Sequence, residues 1–164
     1  MRKILPVIIL SLLVCACSSI ECPINNIPTC GYAVTKSTGK QDTLADTLSI
    51  YALRADGSDT CLLNKSVSTK KFSIPMSHTN DEDVLLFYVA SRYNDSTMYY
   101  YYDTVRVRKT NQAHFESVDC SPNYFHTITD VSWTKNLIEN IDLIQQEVTY
   151  DSTTNFNIVF KKPY

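Results

Sequence analysis

Glycine is scarce in this chain. Its 164 residues include only three, Gly31, Gly39 and Gly57, and these lie far apart in the sequence. A loop that wraps a phosphate group needs several glycines within a few positions, because the backbone must approach the phosphate closely. The sequence therefore argues against nucleotide binding through such a loop. Hydrolase signatures of the GxSxG, HExxH or cysteine-histidine kind are also absent, and we expect no cofactor.

Basic charge and metal-binding motifs are scarce as well. The formal net charge is −2 at pH 7, so no positive field is available to attract nucleic acid, and we expect no such partner. The six cysteines include no CxxC pair, which favours structural disulfides over a zinc or redox site. The acidic segments around Asp56 and Asp81 lack the ligand spacing of an EF-hand loop. We therefore expect no metal.

The N-terminus has the parts of a secretory signal. Met1-Arg2-Lys3 is positive, and "ILPVIILSLLV" after it is apolar but too short to span a bilayer. Small residues then precede Cys17, and "VCAC" (14–17) is similar to a bacterial lipobox. The sequence thus predicts a lipoprotein signal peptide at 1–16 and a lipid on Cys17, with membrane lipid as the partner. Ordinary secretion is the alternative.

The number of cysteines favours lipidation. Secretion without a lipid leaves five cysteines, so one thiol would stay reactive in an oxidising compartment. Lipidation of Cys17 leaves four others, which allow three disulfide pairings: Cys22, Cys30, Cys61 and Cys120. We expect a lipid-anchored protein of the cell envelope, at the outer membrane. The periplasmic side is favoured over the cell surface, because Glu21 is the only acidic residue near the anchor.

Alternation of apolar and polar residues from Tyr32 onward predicts strands, and therefore an all-β domain over 32–164 after a short tether at 17–31. In "KKFSIPM" the alternation includes Pro75, which cannot donate to a neighbouring strand, so this strand should lie at an edge or end at that residue. The segment "DVLLFYVAS" (83–91) is apolar on both faces and predicts a central strand covered on both sides.

The segment "NLIENIDLIQQEV" (136–148) is ambiguous. Its apolar residues recur at helical spacing and would alone predict an amphipathic helix: Leu137, Ile141, Ile144 and Val148. A turn-like segment and the strand-like "FNIVF" follow it, so a hairpin is the competing interpretation.

A run of four tyrosines lies in "TMYYYYDTVRVRK" (97–109). Alternation directs Tyr99, Tyr101, Val105 and Val107 inward and Tyr100 and Tyr102 outward. Asp103 falls in the inward set, so either a bulge changes the phase there or the carboxylate finds a partner. Outward tyrosines can stack on sugar rings or contact a protein, which makes Tyr100 and Tyr102 candidate ligand contacts. The alternative is that they cover a neighbouring strand.

Three histidines occur, His78, His114 and His126. His114 and His126 flank Cys120, with Asp119 nearby, so an acid-base or metal site is conceivable. Their spacing matches no zinc motif, and ordinary polar or structural histidines are the favoured interpretation.

Two segments in the second half of the chain contain an "HF" segment before a cysteine and a closing strand pair: "DTVRVRKTNQAHFESVDCSPNYFHTITDV" and "NLIENIDLIQQEVTYDSTTNFNIVFKK". In these features the chain resembles an uncharacterised family of small Bacteroidetes-type lipoproteins. The resemblance spans much of residues 46–160 and implies a single antiparallel β-sandwich, immunoglobulin-like, without an assigned activity. It favours strands over a helix at 136–148. It also implies a Cys22–Cys120 disulfide, which leaves Cys30 to pair with Cys61.

An Asp-Ser/Thr pattern similar to the O-glycosylation sequon of exported proteins of this bacterial group occurs five times. We expect modification at its loop-like copies, at Thr43, Ser96 and Ser152, rather than at Thr104 within a strand.

These features predict a membrane-anchored, non-enzymatic envelope or interaction module. A carbohydrate-binding module that uses Tyr100 and Tyr102 is the second hypothesis. An enzyme that uses His114, His126 and Asp119 is the third.

Overall fold

The computed structural model describes Cys22, residues 27–94 and residues 96–161. This part of the chain contains no helix and confirms the all-β prediction. The predicted signal peptide at 1–16 and the lipidation site at Cys17 lie outside the described residues. The ten strands are β1 (Thr29–Val34), β2 (Thr47–Leu53), β3 (Thr60–Ser66), β4 (Lys71–Pro75), β5 (Glu82–Asn94), β6 (Thr97–His114), β7 (Asn123–Trp133), β8 (Ile138–Leu143), β9 (Glu147–Val148) and β10 (Phe156–Phe160).

The strands form two sheets that pack against each other. The smaller has the order β4-β1-β10-β8 and the larger β3-β2-β5-β6-β7-β9. The predicted two-sheet architecture is therefore confirmed. All pairings between named strands are antiparallel except that of β1 with β10, which is parallel. Parallel strands need a long connection, and the rest of the domain supplies it between these two terminal strands.

Aromatic packing joins the two sheets at the centre of the core. The Tyr32 ring of β1 stacks on Phe72 and Phe156 within its own sheet, with centroid distances of 4.9 and 5.2 Å. Its edge meets Phe87 of the larger sheet at 6.1 Å. Such pairs add to the free energy gained from burying the rings, by about 0.5–1.5 kcal/mol each.

The predicted positions of two strands within their sheets are confirmed. β4 ends at Pro75 on the edge of the smaller sheet, and β5 lies inside the larger sheet between β2 and β6. The expectation that both faces of β5 are covered is wrong, however. Leu85 and Phe87 are buried on the inner face, whereas Leu86 and Tyr88 on the outer face are only partly buried.

Residues 136–148 form strands β8 and β9 and no helix, as the resemblance implied. Ile138 and Ile141 are both buried although they are three positions apart. A register shift against β10 between Val159 and Phe160 explains this spacing, because an irregularity changes which side chains face inward. The helix-like period of the sequence corresponds to no single element: Ile141 is buried in β8, Ile144 is exposed after it, and Val148 is buried in β9 of the other sheet.

Gly31 lies where another part of the backbone approaches β1 closely. Its N–H donates to Oδ1 of Asn155 at 2.9 Å, and its carbonyl accepts from the Asn155 N–H at 2.8 Å. A Cβ at this position would lie 2.2 Å from the backbone oxygen of Thr153. Only glycine fits here, because backbone cannot move as a flexible side chain can.

Gly31→Ala is therefore expected to lower the free energy of unfolding by about 3 kcal/mol, the upper end of the range for overpacking. Urea denaturation measures the change. Gly57→Ala is the control: no atom lies within 4 Å of its added Cβ, and only its positive φ of 77° is unfavourable, which costs roughly 1 kcal/mol. Equal losses in the two variants would contradict the steric explanation.

Candidate functional site

Four tyrosines form a group on the outer surface of the larger sheet. We call it the outer tyrosine face: Tyr51, Tyr88, Tyr100 and Tyr102. Tyr100 and Tyr102 are 58% and 59% exposed, so their predicted outward orientation is confirmed. The Tyr88 ring stacks on Tyr100 with a centroid distance of 5.6 Å and an interplanar angle of 19°. Tyr88 also lies directly opposite Tyr102 in the pairing of β5 with β6.

Desolvation raises the pKa of Tyr88, and the nearby Tyr100 and Tyr51 act in the same direction. The hydroxyl therefore stays protonated at neutral pH and can donate a hydrogen bond. Sequence reasoning missed Tyr51 and Tyr88. Their position could be found only from the strand pairing, because each lies on a different strand from the tyrosine run.

Tyr99 does not belong to the core, so its predicted inward position is wrong. It is 44% exposed, and its ring meets the edge of Tyr93 at 5.4 Å. Met98 and Tyr93 beside it are exposed as well. The end of the β5–β6 hairpin thus extends past the packed core, and both of its faces meet solvent. Tyr101, by contrast, packs against the core as predicted.

Three charged side chains lie further along β5 and β6, on the same outer surface as the tyrosines. Arg106 and Arg108 donate to the two carboxylate oxygens of Glu82 at 2.8 and 3.0 Å. These hydrogen bonds lower the pKa of Glu82 below its usual value, and the bond from Arg108 has the larger effect. Exposed ion pairs add little stability. They do place charged hydrogen-bonding groups on the same side of the sheet as the tyrosines.

The carboxylate of Asp103 is fully buried directly after the tyrosine run. The pairing of β5 with β6 has no bulge at Asp103. The sequence left a bulge or a partner for the carboxylate as alternatives, and the structure shows that the carboxylate has partners. One oxygen accepts from the Thr134 hydroxyl at 2.5 Å and the Asn136 N–H at 2.7 Å. The other accepts from the N–H groups of Leu137 and Ile138 at 2.9 and 2.7 Å. Asp103 therefore fixes the loop between β7 and β8 to the strand that carries Tyr100 and Tyr102.

The structure does not bring His114 and His126 together. His126 faces inward, where its Nδ1 lies 2.8 Å from Oδ1 of Asn111. His114 stacks at 4.4 Å on Phe125, the neighbour of His126. Because successive residues of a strand point to opposite faces, the two imidazoles lie on opposite sides of the sheet. Asp119 lies in the loop after β6. The residues proposed for an acid-base site thus do not share one pocket.

His126 instead shares a cavity with His78, a pairing that the sequence analysis missed. We call this the histidine cavity. Its volume is about 400 Å³, and it is lined by Ile27, Pro28, Met76, His78, Ser121, Pro122, Asn123, Tyr124 and His126. Met76 and His78 follow β4 of the smaller sheet, and Tyr124 and His126 lie on β7 of the larger one. Only the sandwich fold joins these two segments, so no local motif could reveal the site.

Burial is the main cause of the unusual pKa of His126, which is lowered from 6.5 to about 4. The charge of Lys109 and the nearby His78 act in the same direction. His126 is therefore neutral at pH 7. Lys109 is itself buried and lies 3.5 Å from Asp83, whose own pKa is raised by desolvation.

The low pKa of His126 predicts a pH-dependent stability. Above pH 6.5 the ring is neutral in both the folded and the unfolded chain. Between pH 6.5 and about 4 the unfolded chain binds a proton there and the folded chain does not, so stability falls as the pH falls. At 1.36 kcal/mol per pKa unit, the total loss from this group is about 3 kcal/mol.

Urea denaturation of wild type and His126→Gln across this pH range measures the effect. The difference between the two proteins should change by this amount. Gln112→Ala, at an exposed position on β6, is the control: it removes no ionisable group and should keep the wild-type slope. The raised pKa of Asp83 acts in the opposite direction but equally in all three proteins. An unchanged slope in His126→Gln would contradict the assignment.

The cysteine predictions are half correct. Cys22 and Cys120 form the disulfide that the resemblance implied. The pairing of Cys30 with Cys61 is wrong, because both are free thiols. Cys30 is buried in β1 of the smaller sheet, whereas Cys61 is exposed on β3 at the far edge of the larger one. Burial raises the pKa of Cys30 to about 12, which makes this thiol unreactive.

The three expected glycosylation sites are accessible. Thr43, Ser96 and Ser152 are exposed and lie outside the strands, whereas Thr104 is partly buried within β6. Their modification stays a prediction. The described residues include no helix long and apolar enough to cross a membrane.

Comparison with known proteins gives one result. A family model described as "Family of unknown function (DUF6452)" matches residues 47–160. This segment runs from β2 to β10 and includes the outer tyrosine face. The searches of curated proteins and of solved structures found no match.

Proposed function

The chain belongs to the Family of unknown function (DUF6452), and we propose that it is a lipid-anchored binding module of the cell envelope that holds its ligand on the outer tyrosine face. The main support for a binding role is that Tyr100 and Tyr102 are exposed beside Tyr88, whose ring stacks on Tyr100. A binding role is favoured over catalysis, because His114 and His126 lie on opposite sides of the sheet.

The proposed anchor is supported by the sequence of the N-terminus. The charged start, the short apolar stretch and "VCAC" before Ser18 form a lipoprotein signal. The number of cysteines lends no further support, since Cys30 and Cys61 are unpaired in any case. A lipid on Cys17 would lie five residues before Cys22, whose disulfide joins the tether to the domain. An extended tether of this length reaches at most about 18 Å.

Labelling with radioactive palmitate tests the anchor. The wild-type protein should incorporate label, and Cys17→Ala should incorporate none. Cys61→Ala is the matched control: it removes an exposed free thiol elsewhere and should leave the labelling unchanged. Label that persists in Cys17→Ala, or that is absent from the wild type, would show that Cys17 carries no lipid.

Carbohydrate is the ligand class that the outer tyrosine face fits best. Tyr100 and Tyr102 are two positions apart on one strand, which separates their Cα atoms by about 7 Å, and Tyr88 lies about 5 Å away on the next strand. Tyr100 and Tyr102 are exposed and Tyr88 is partly exposed beside them, so these rings offer an aromatic surface against which the apolar faces of sugar rings can pack. The tyrosine hydroxyls, together with Arg106 and Glu82, offer hydrogen bonds to sugar hydroxyls.

Electrophoresis through gels that contain soluble polysaccharides tests this ligand class. We expect at least one polysaccharide to slow the wild-type protein and to have no effect on Tyr100→Ala/Tyr102→Ala. Tyr93→Ala removes an equally exposed tyrosine from the end of the same hairpin, on its opposite face, and should migrate like wild type. Equal retardation of all three proteins would place sugar binding elsewhere.

A further inference from the structure

We propose that the histidine cavity binds a soft monovalent metal ion, Cu(I) or its analogue Ag(I), through the thioether of Met76 and the imidazoles of His78 and His126. This site is separate from the outer tyrosine face, because His126 points to the inner side of the larger sheet. It does not depend on the proposed carbohydrate ligand.

The hydrogen bonds around His126 prepare its second ring nitrogen for a ligand. The side-chain amide of Asn111 donates through Nδ2 to the backbone oxygen of Asn80 at 3.0 Å and to a carboxylate oxygen of Asp81 at 3.4 Å. Its Oδ1 is therefore the acceptor that faces His126, and Nδ1 of the imidazole must donate to it. Nε2 consequently carries an unprotonated lone pair.

Nε2 of His126 is also the accessible part of an otherwise buried ring. The side chain is 3% exposed, and Nε2 has no hydrogen-bond partner among the described residues. Every fully buried side-chain nitrogen or oxygen in the same part of the chain does have a partner. Nε2 is therefore not sealed off, and the histidine cavity is the space that this residue lines. A histidine that binds metal typically donates its other N–H to an oxygen in this way.

Met76 and His78 reach the same cavity from the opposite sheet. The imidazole of His78 stacks on the Tyr124 ring with a centroid distance of 4.7 Å. This contact uses the face of the imidazole and leaves the nitrogens at its edge available. Met76 is partly buried and packs against the core. Two imidazoles and one thioether thus line one cavity, on two elements that the fold holds in place.

The character of these ligands selects the metal. Thioethers favour Cu(I), and imidazoles also bind copper. None of the three donors carries a negative charge, and Lys109 acts on His126 as a nearby positive charge, so a monovalent cation costs less here than a divalent one. The described residues hold no group of three or more histidine, cysteine, aspartate or glutamate side chains arranged for a metal. The site therefore does not suit zinc or calcium.

Titration of the full chain with Ag(I), followed by the nitrogen resonances of the histidine rings, tests the proposal. The protein carries Cys15→Ser, Cys17→Ser and Cys61→Ser, which remove the two N-terminal thiols of the full chain and the exposed Cys61 thiol, all of which would compete for silver. We expect one equivalent to shift the Nε2 resonance of His126 and one ring nitrogen of His78. His114 should remain unchanged and serves as the internal control. Unchanged His78 and His126 resonances at one equivalent would overturn the proposal.

Substitution of the thioether gives a second, independent test. Met76→Leu conserves volume and should fold normally. We expect it to weaken Ag(I) binding at His126 by at least about 10-fold, because loss of an outer-shell partner alone typically costs 10-fold to 100-fold and Met76 is a direct ligand. Met98→Leu is the matched control, because Met98 lies on the β5–β6 hairpin outside the cavity, and it should bind like wild type. Equal affinities in the two variants would exclude Met76 as a ligand.

Discussion

Asp103→Ala is expected to lower the free energy of unfolding by about 4 kcal/mol, because it leaves several buried donors without an acceptor at roughly 1–3 kcal/mol each. The carboxylate accepts from two backbone N–H groups and one hydroxyl in the loop between β7 and β8, and from the N–H group of Ile138, the first residue of β8. Two of these donors, at Leu137 and Ile138, belong to buried residues. Water cannot replace the lost acceptor there without opening the sandwich.

Urea denaturation measures this loss, and two further variants identify its cause. Asp103→Asn keeps the shape of the side chain but turns an NH₂ group toward the donors, so it should also destabilise the fold. Asp130→Asn, at an exposed position on β7, changes a carboxylate in the same way and should have little effect. An Asp103→Ala variant within about 0.5 kcal/mol of wild type, the usual range for surface substitutions, would show that the loop does not depend on this carboxylate.

Loss of the Cys22–Cys120 disulfide is expected to have a comparable effect. The bond joins residues 98 positions apart. Closing a loop of about 100 residues stabilises a fold by up to about 4.7 kcal/mol in the chain-entropy model, and measured effects are typically 2–4 kcal/mol. We therefore expect Cys22→Ser/Cys120→Ser to lose about 3 kcal/mol.

Thermal and urea denaturation of this double variant measure the loss, and reduction of the wild-type protein should reproduce it. Cys61→Ser is the control, because Cys61 is a free, exposed thiol. Its stability should match that of wild type under both oxidising and reducing conditions. If reduction leaves wild-type stability unchanged, the disulfide does not constrain the unfolded chain as proposed.

Local patterns predicted those features that depend on neighbouring residues. Alternation around Tyr100 and Tyr102 gave their outward orientation, because side chains of a strand alternate whatever the strand packs against. Pro75 identified the edge position of β4, because a missing N–H excludes a central position. The same alternation placed Asp103 in the core and so required a partner for its charge, although the sequence could not name it.

Features that depend on which strands meet could not be predicted from the sequence. Tyr99 has the alternation of a core residue, but the hairpin extends past the opposing sheet at that point. The number of cysteines in the sequence allowed a disulfide between Cys30 and Cys61. The two residues lie on different sheets, however, and one is buried while the other is exposed. His78 and His126 likewise line one cavity because the segment that follows β4 lies against β7, and no spacing along the chain indicates this contact.

A glycan array tests the ligand-binding role of the outer tyrosine face most directly. Wild type should give signals on a defined set of glycans, and Tyr100→Ala/Tyr102→Ala should lose them while retaining the wild-type melting temperature. Tyr93→Ala should keep the same signals, because its side chain projects from the other face of the hairpin. An array on which wild type binds nothing, or on which its signals survive loss of Tyr100 and Tyr102, would contradict the proposed role.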